Sequence, residues 1–128
     1  MATILARKFF SRRGSITGGA AISYLNLMRS FPAVTGTPAW GTNTDGSPSM
    51  DSTWGDGATI IPVTSTLYVG YDAQVADADA AATYKGVPVV AGEPFALQDY
   101  FPGPVDIAQV WIYSASTQDV DLVFQGRQ

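Results

Sequence analysis

The residues best suited to acid–base or metal chemistry are two pairs of aspartates. Asp77 and Asp79 form one pair and Asp119 and Asp121 the other, and i, i+2 spacing puts both carboxylates of a pair on one face of an extended segment. Such a pair suits a calcium site or a glycosidase. Neither pair has the spacing with glycine and a twelfth-position glutamate that an EF-hand loop requires. We therefore predict solvated surface carboxylates at both places.

Other routes to catalysis are also poorly supplied. The chain contains no histidine and no cysteine, so it lacks the side chain that titrates near neutrality and two common kinds of metal ligand. Its serines have no obvious general base. The glycine-rich stretch 15–19 lacks the spacing of a phosphate-binding loop. We predict a protein that is not an enzyme and that needs neither a cofactor nor a metal ion.

Charge divides the chain into a basic and an acidic part. Residues 1–44 hold five basic residues and no acid, a net charge of +5, whereas residues 45–128 hold two basic and eleven acidic residues, a net charge of −9. A dipole of this kind favours contact of the basic end with an acidic partner. An isoelectric point near 4.4 disfavours nucleic acid as the main partner.

The basic end is predicted to be an N-terminal arm over residues 1–19. Aromatic and cationic residues alternate there, and we expect them to contact a protein partner: Arg7, Lys8, Phe9, Phe10, Arg12 and Arg13. Phe9 and Phe10 would insert into grooves of the partner while the cations pair with carboxylates. The alternative is a short first strand or helix that packs on its own domain with solvated charges.

The middle of the chain, 20–58, is predicted to hold one strand and a long loop. Alternation over 20–31 favours a strand, although alanine, leucine and methionine also favour a helix. The loop contains Trp40 and Trp54. These side chains either pin the loop onto the core or form a surface for recognition, and exposed tryptophans beside Asn43, Asp45 and Asp56 would suit a carbohydrate.

Residues 59–128 are predicted to form the core sandwich of a single domain. Strand patterns recur at 59–63, 66–71, 87–90, 93–97, 105–113 and 120–124, separated by glycine and proline turns. Short strands at this spacing indicate an all-β fold, an antiparallel β-sandwich or jelly roll. The apolar runs are far shorter than the roughly 18 residues that span a bilayer, so we expect no membrane association.

The strand-rich half also carries a family resemblance. It reads LYVG at 67–70, GVPV at 86–89, AGEPFAL at 91–97, VDIAQVWIYSA at 105–115 and VDLVF at 120–124. This series, over roughly residues 59–125, resembles small β-sandwich virion structural proteins of tailed bacteriophages. In those proteins a strand ending in Tyr-Val-Gly precedes a Gly-x-Pro strand and turn.

The resemblance implies a capsid cement or decoration protein that binds and stabilises the shell of the major capsid protein. It implies assembly in the host cytoplasm, a place on the capsid surface of the virion, and self-association as a homodimer or homotrimer. The arm would then tie neighbouring subunits together. A tail, neck or head-fibre component and a carbohydrate-binding β-sandwich module are the alternatives. The matching positions determine the fold, so no functional residue follows from them.

Overall fold

The computed structural model describes residues 8–32, 40–42, 45, 47, 52–100 and 103–126. Two antiparallel sheets pack face to face as a sandwich, with one short helix at its edge. The first sheet comprises β1 (Lys8–Ile16), β11 (Gln118–Gly126), β3 (Trp54–Pro62) and β8 (Phe95–Ala96), which lie in this order. The short strand β9 (Val105–Asp106) also pairs with β3.

The second sheet is shorter and comprises β2 (Ala21–Ser23), β10 (Trp111–Ser114), β4 (Leu67–Gly70) and β7 (Val87–Val89), which lie in this order. A small parallel pair, β5 (Val75–Ala76) and β6 (Tyr84–Lys85), lies beside it. The predicted antiparallel β-sandwich is confirmed. Pro88 lies in the edge strand β7, as expected for a residue that cannot donate a ladder hydrogen bond.

The core forms where the inner faces of the two sheets meet. Val120, Leu122 and Phe124 alternate along β11 and are fully buried, as predicted from their spacing. Ile112 of the central strand β10 and Leu67 of β4 face them from the other sheet. Period-two alternation therefore places these side chains correctly, because each strand buries one face only.

The predicted strand over 20–31 is wrong for most of its length. Strand β2 ends at Ser23, whose hydroxyl accepts a hydrogen bond from the Asn26 N–H at 3.2 Å and caps the helix α1 (Tyr24–Ser30). Its buried residues, Tyr24, Leu25, Leu27 and Met28, follow the i, i+1, i+3, i+4 pattern of a helix face. The serine cap and the helix formers prevail over the apparent alternation.

The predicted N-terminal arm is also corrected by the structure. Residues 8–16 form β1, which pairs in register with β11 from Lys8↔Gly126 to Ile16↔Gln118. Phe10 and Ile16 are buried in the core, because apolar residues at even positions turn to the inner face. This arrangement is the alternative of a first strand packed on its own domain. Residues 1–7, including Arg7, lie outside the described part.

Three further boundaries differ from expectation. Strand β3 begins at Trp54 and not at residue 59, where the first strand of the core sandwich was predicted. The sequence patterns predict no strand between residues 71 and 87, whereas the structure has β5 there with its buried Val75. The long strand predicted over 105–113 is divided into β9 and β10. The sandwich consequently uses strands from 8–16 and 21–23 as well as from 59–128.

Candidate functional site

An open groove of about 740 Å³ lies at the side of the sandwich, bordered by β3, β4, β6, β7 and residues of the segments 95–100 and 104–110. Its lining consists mainly of aromatic and aliphatic side chains. The aromatic members are Trp54, Tyr71, Tyr84, Phe95 and Tyr100, and we refer to this surface as the aromatic groove.

Several of these rings face solvent rather than the core. Tyr71 is 71 % exposed, Tyr100 is 61 % exposed and Trp54 is 48 % exposed. Val87, also in the groove, is nearly half exposed. Large apolar side chains that cluster on the surface of a small domain indicate an interaction site.

Hydrogen bonds and stacking hold the tyrosine pair of the groove in place. The rings of Tyr71 and Tyr84 stack with centroids 5.0 Å apart. The Tyr84 hydroxyl accepts hydrogen bonds from the backbone N–H groups of Tyr71 at 2.9 Å and Asp72 at 3.2 Å. A Cβ at Gly70 would lie 2.3 Å from that hydroxyl oxygen, so glycine is required for this close approach.

A second stacked pair forms the opposite wall. Phe95 and Tyr100 stack at 4.7 Å between centroids and 14° between planes. A 3₁₀ turn, Leu97–Asp99, connects them, and the Tyr100 N–H donates to the Leu97 carbonyl at 3.0 Å. Leu97 is fully buried and anchors the turn. The pair is therefore positioned by the core below it.

The two tryptophans of the loop have different roles. Trp54 starts β3 and pairs with Asp106 of β9, which places its ring in the groove. Trp40 is buried and packs edge-on against Phe124, with centroids 5.3 Å apart. Trp40 is thus a core residue, which is the first of the two alternatives for the tryptophans, and a surface for recognition stays open only for Trp54.

The polar groups of the groove are few: Lys85, Asp106 and Gln109. One carboxylate oxygen of Asp106 accepts a hydrogen bond from the Ala108 N–H at 3.0 Å, which is a turn-stabilising contact. In the part of the chain that the structure describes, no group of three or more acidic residues could hold a metal ion. The groove is built for stacking and apolar contact.

Comparisons with family models, curated proteins and solved structures found no match to this chain.

The predicted basic contacts are used largely within the protein itself. Arg13 makes a two-point ion pair with Asp121, directly opposite on β11, at 2.7 and 3.0 Å. Arg12 donates to the Pro32 carbonyl at 3.2 Å and lies over the Phe10 ring. Because Phe10 is in the protein's own core, it is not available to a partner's groove. Lys8 and Phe9 lie in β1, and nothing further is described of their side chains.

The aspartate pairs make local contacts rather than a shared site. Asp79 accepts a hydrogen bond from the Lys85 backbone N–H at 2.7 Å. The Arg13 guanidinium holds the pKa of Asp121 below its ordinary value, since it donates to and attracts the carboxylate. No described helix is long and apolar enough to cross a membrane.

The sequence did not single out the tyrosines of the groove. Tyr71 continues the alternation of the buried Leu67 and Val69, but β4 ends at Gly70 and the Tyr71 side chain is exposed. Tyr100 stands directly before the sequence Phe-Pro-Gly-Pro at 101–104. An aromatic residue beside Pro-Gly is the signal that the sequence contained. The groove joins residues far apart in the chain, so spacing does not reveal it.

Proposed function

We propose that this protein is a non-enzymatic structural subunit that acts by binding other protein subunits. In particular, we propose a capsid cement or decoration protein of a tailed bacteriophage that binds the shell of the major capsid protein. The exposed aromatic groove is the observation that carries this proposal. The sequence resemblance at 59–125 points to the same class.

The rings of the groove suit a protein interface for two reasons. Aromatic residues are enriched among the side chains that dominate binding energy. Stacking and the two hydrogen bonds to the Tyr84 hydroxyl already restrict the rings, so little further side-chain entropy is lost on association. Modest affinity at one groove would be multiplied by repetition over a closed shell.

The direct test adds the purified full chain to undecorated shells of the major capsid protein from the same source. We expect co-sedimentation with the shells and a higher melting temperature of the shell. Tyr100→Ala and Trp54→Ala should each weaken binding by about tenfold or more, as expected for aromatic anchors. Val90→Ala is the matched control, since Val90 is 53 % exposed and lies outside the groove lining.

Failure of the wild-type chain to bind or stabilise shells would contradict the proposal, as would equal binding by the groove variants. Deletion of residues 1–7 tests the role of the N-terminal segment. A longer deletion through residue 19 is unsuitable, because it removes β1 from the sheet. A trimer that binds purified cells rather than shells would point to a tail, neck or head-fibre component instead.

Carbohydrate binding is the second candidate, and the exposed ring of Trp54 favours it. An exposed indole beside tyrosines offers a flat apolar face, as sugar sites do. The expected result is micromolar to millimolar affinity for a glycan in isothermal titration, lost in Trp54→Ala and retained in Val90→Ala. A glycan array without binding would remove this candidate.

A further inference from the structure

The aromatic groove joins the two sheets at the side of the sandwich. Trp54 and Phe95 belong to β3 and β8 of the first sheet, and Val69 and Val87 belong to β4 and β7 of the second. The lining also includes the buried core residue Leu97. The volume of about 740 Å³ lies within the range of about 300–1,000 Å³ that is typical of a site for one small ligand. The groove therefore has room for a few residues of an extended chain and not for a folded surface.

Backbone pairing contributes little at this groove, because the edge strands beside it are short. Edge strand β7 has three residues with Pro88 in the middle, and edge strand β8 has only two residues. Short strands and prolines are the usual protection against addition of a further strand. An extended segment in the groove must therefore be held mainly by its side chains.

The exposed rings are suited to a segment rich in proline. Tyr71 and Tyr100 each stack on a neighbouring ring and present most of their surface to solvent, so both offer a flat apolar face that is already fixed in position. Proline-rich chains adopt the polyproline II helix, which needs no ladder of hydrogen bonds, and they bind grooves lined by aromatic residues. Stiff proline residues also lose little conformational entropy on binding.

The polarity of the lining favours a peptide over a glycan. The polar side chains besides the rings are Lys85, Asp106 and Gln109. A glycan carries hydroxyl groups around each sugar ring, and a hydroxyl that is buried without a hydrogen bond costs free energy. The side chains of proline and leucine carry no polar group and avoid this cost.

Charge around the groove favours basic residues beside the prolines. Asp106 belongs to the lining, and Asp72 and the exposed Asp99 are the chain neighbours of two of its rings. Together with Lys85, these residues carry a net charge of −2. An acidic surround of this kind attracts and orients a cationic segment.

We propose that the aromatic groove binds a proline-rich segment of a partner protein in the polyproline II conformation, with arginine or lysine residues next to the prolines. This inference rests on the proposed function as a subunit that binds other proteins, and it states which chemistry the partner presents to the groove.

The test uses three fluorescently labelled peptides and the full chain. The first peptide is Arg-Pro-Leu-Pro-Pro-Leu-Pro-Arg, the second has every proline replaced by alanine, and the third has both arginines replaced by glutamate. Fluorescence anisotropy at low salt should show binding of the first peptide. The second should bind at least about threefold more weakly and the third at least about fivefold more weakly. The difference between the first and the third should narrow at high salt.

Two variants separate the contribution of the rings from that of the charge. Tyr100→Ala should weaken binding of the first peptide at least about fivefold, whereas Val90→Ala should leave it unchanged. Asp99→Asn should reduce the preference for arginine over glutamate at least about twofold and leave the preference for proline over alanine unchanged. Asp119→Asn is its matched control, because Asp119 is exposed on β11, which does not border the groove. Thermal melts check that each variant is folded.

NMR spectra of the unaltered chain locate the peptide without any variant. The indole N–H signal of Trp54, in the groove, should shift on addition of the first peptide, whereas that of Trp40, buried in the core, should not.

Equal affinity for the proline and alanine peptides would overturn the inference, as would full binding by Tyr100→Ala. A glycan that binds the groove in place of the peptide would also overturn it and favour the second candidate function. Shell binding without peptide binding would refute the proline-rich segment alone. Peptide binding without shell binding would refute the proposed capsid function and leave the groove site standing.

Discussion

Removal of one buried hydroxyl, in Tyr24→Phe, tests how the helix is fastened to the first sheet. The Tyr24 side chain is fully buried, and its hydroxyl lies 3.1 Å from the Thr59 carbonyl oxygen and 2.9 Å from the Val123 carbonyl oxygen. Thr59 and Val123 face each other on β3 and β11. The single hydroxyl proton is therefore donated at the seam between two central strands.

The expected cost follows from this contact. A buried hydrogen bond contributes about 1–1.5 kcal/mol net, and phenylalanine keeps the ring and its packing. We expect Tyr24→Phe to lower the free energy of unfolding at pH 7 by about 1.5 kcal/mol and the melting temperature by about 5 °C. Urea titration measures the first and calorimetry the second. Tyr113→Phe is the control, because the half-buried Tyr113 makes no hydrogen bond through its hydroxyl in the described structure.

The same hydroxyl predicts a dependence on alkaline pH. Burial raises the pKa of Tyr24 above its ordinary value of 10.0, so the unfolded chain loses this proton first. The stabilisation is complete below pH 10 and declines as the pH rises from there towards the higher pKa of the folded state. The decline is about 1.4 kcal/mol per pH unit. Wild type and Tyr24→Phe should therefore become equally stable near pH 11.

The difference between wild type and variant is the decisive quantity, because the remaining titrating groups are common to both. A stability difference that stays constant from pH 8 to pH 11.5 would refute the reasoning. So would a Tyr24→Phe protein as stable as wild type at pH 7.

Three further predictions concern packing and buried polarity. Gly14→Ala would place a Cβ against the buried Phe31 ring and should lower the free energy of unfolding, measured by urea titration, by about 1–3 kcal/mol. Gly57→Ala is the control, because the nearest atom to its Cβ would be 3.5 Å away, and it should change the free energy of unfolding by less than about 0.5 kcal/mol. Gln118→Leu removes five hydrogen bonds of a buried amide. It should lower the free energy of unfolding by about 2–3 kcal/mol and the melting temperature by about 10 °C. Trp40→Ala should lower the free energy of unfolding by about 3–5 kcal/mol, and Trp54→Ala by about 1 kcal/mol or less. Equal losses in melting temperature would contradict the assignment of Trp40 to the core and Trp54 to the surface.

Local pattern was sufficient for the strands whose two faces differ. Val120, Leu122 and Phe124 alternate with Asp121, Val123 and Gln125, and only the first three are fully buried in β11. Side-chain direction reverses at every residue of a strand, so polarity alone predicts which face is inside. Proline at the edge of the second sheet followed from its missing donor in the same way.

The sequence pattern failed where strand alternation and helical periodicity fit the same residues. Over 24–30 the apolar positions satisfy both alternation and a helix face, and the Ser23 cap decides for the helix. The basic N-terminal residues failed for another reason. A charged strand with apolar residues on one side resembles an arm in sequence. Only the tertiary structure shows that it pairs with β11, where the half-buried Asp121 lies opposite Arg13.

The sequence alone determined the all-β class, the lack of histidine and cysteine side chains for chemistry, and the asymmetry of charge. These properties depend only on composition and on short-range periodicity. The aromatic groove and the pairing of β1 with β11 were decided only by tertiary structure. Trp54, Tyr71, Tyr84, Phe95 and Tyr100 come from separate elements, and the sheet order that brings them together depends on long-range pairing that local spacing does not encode.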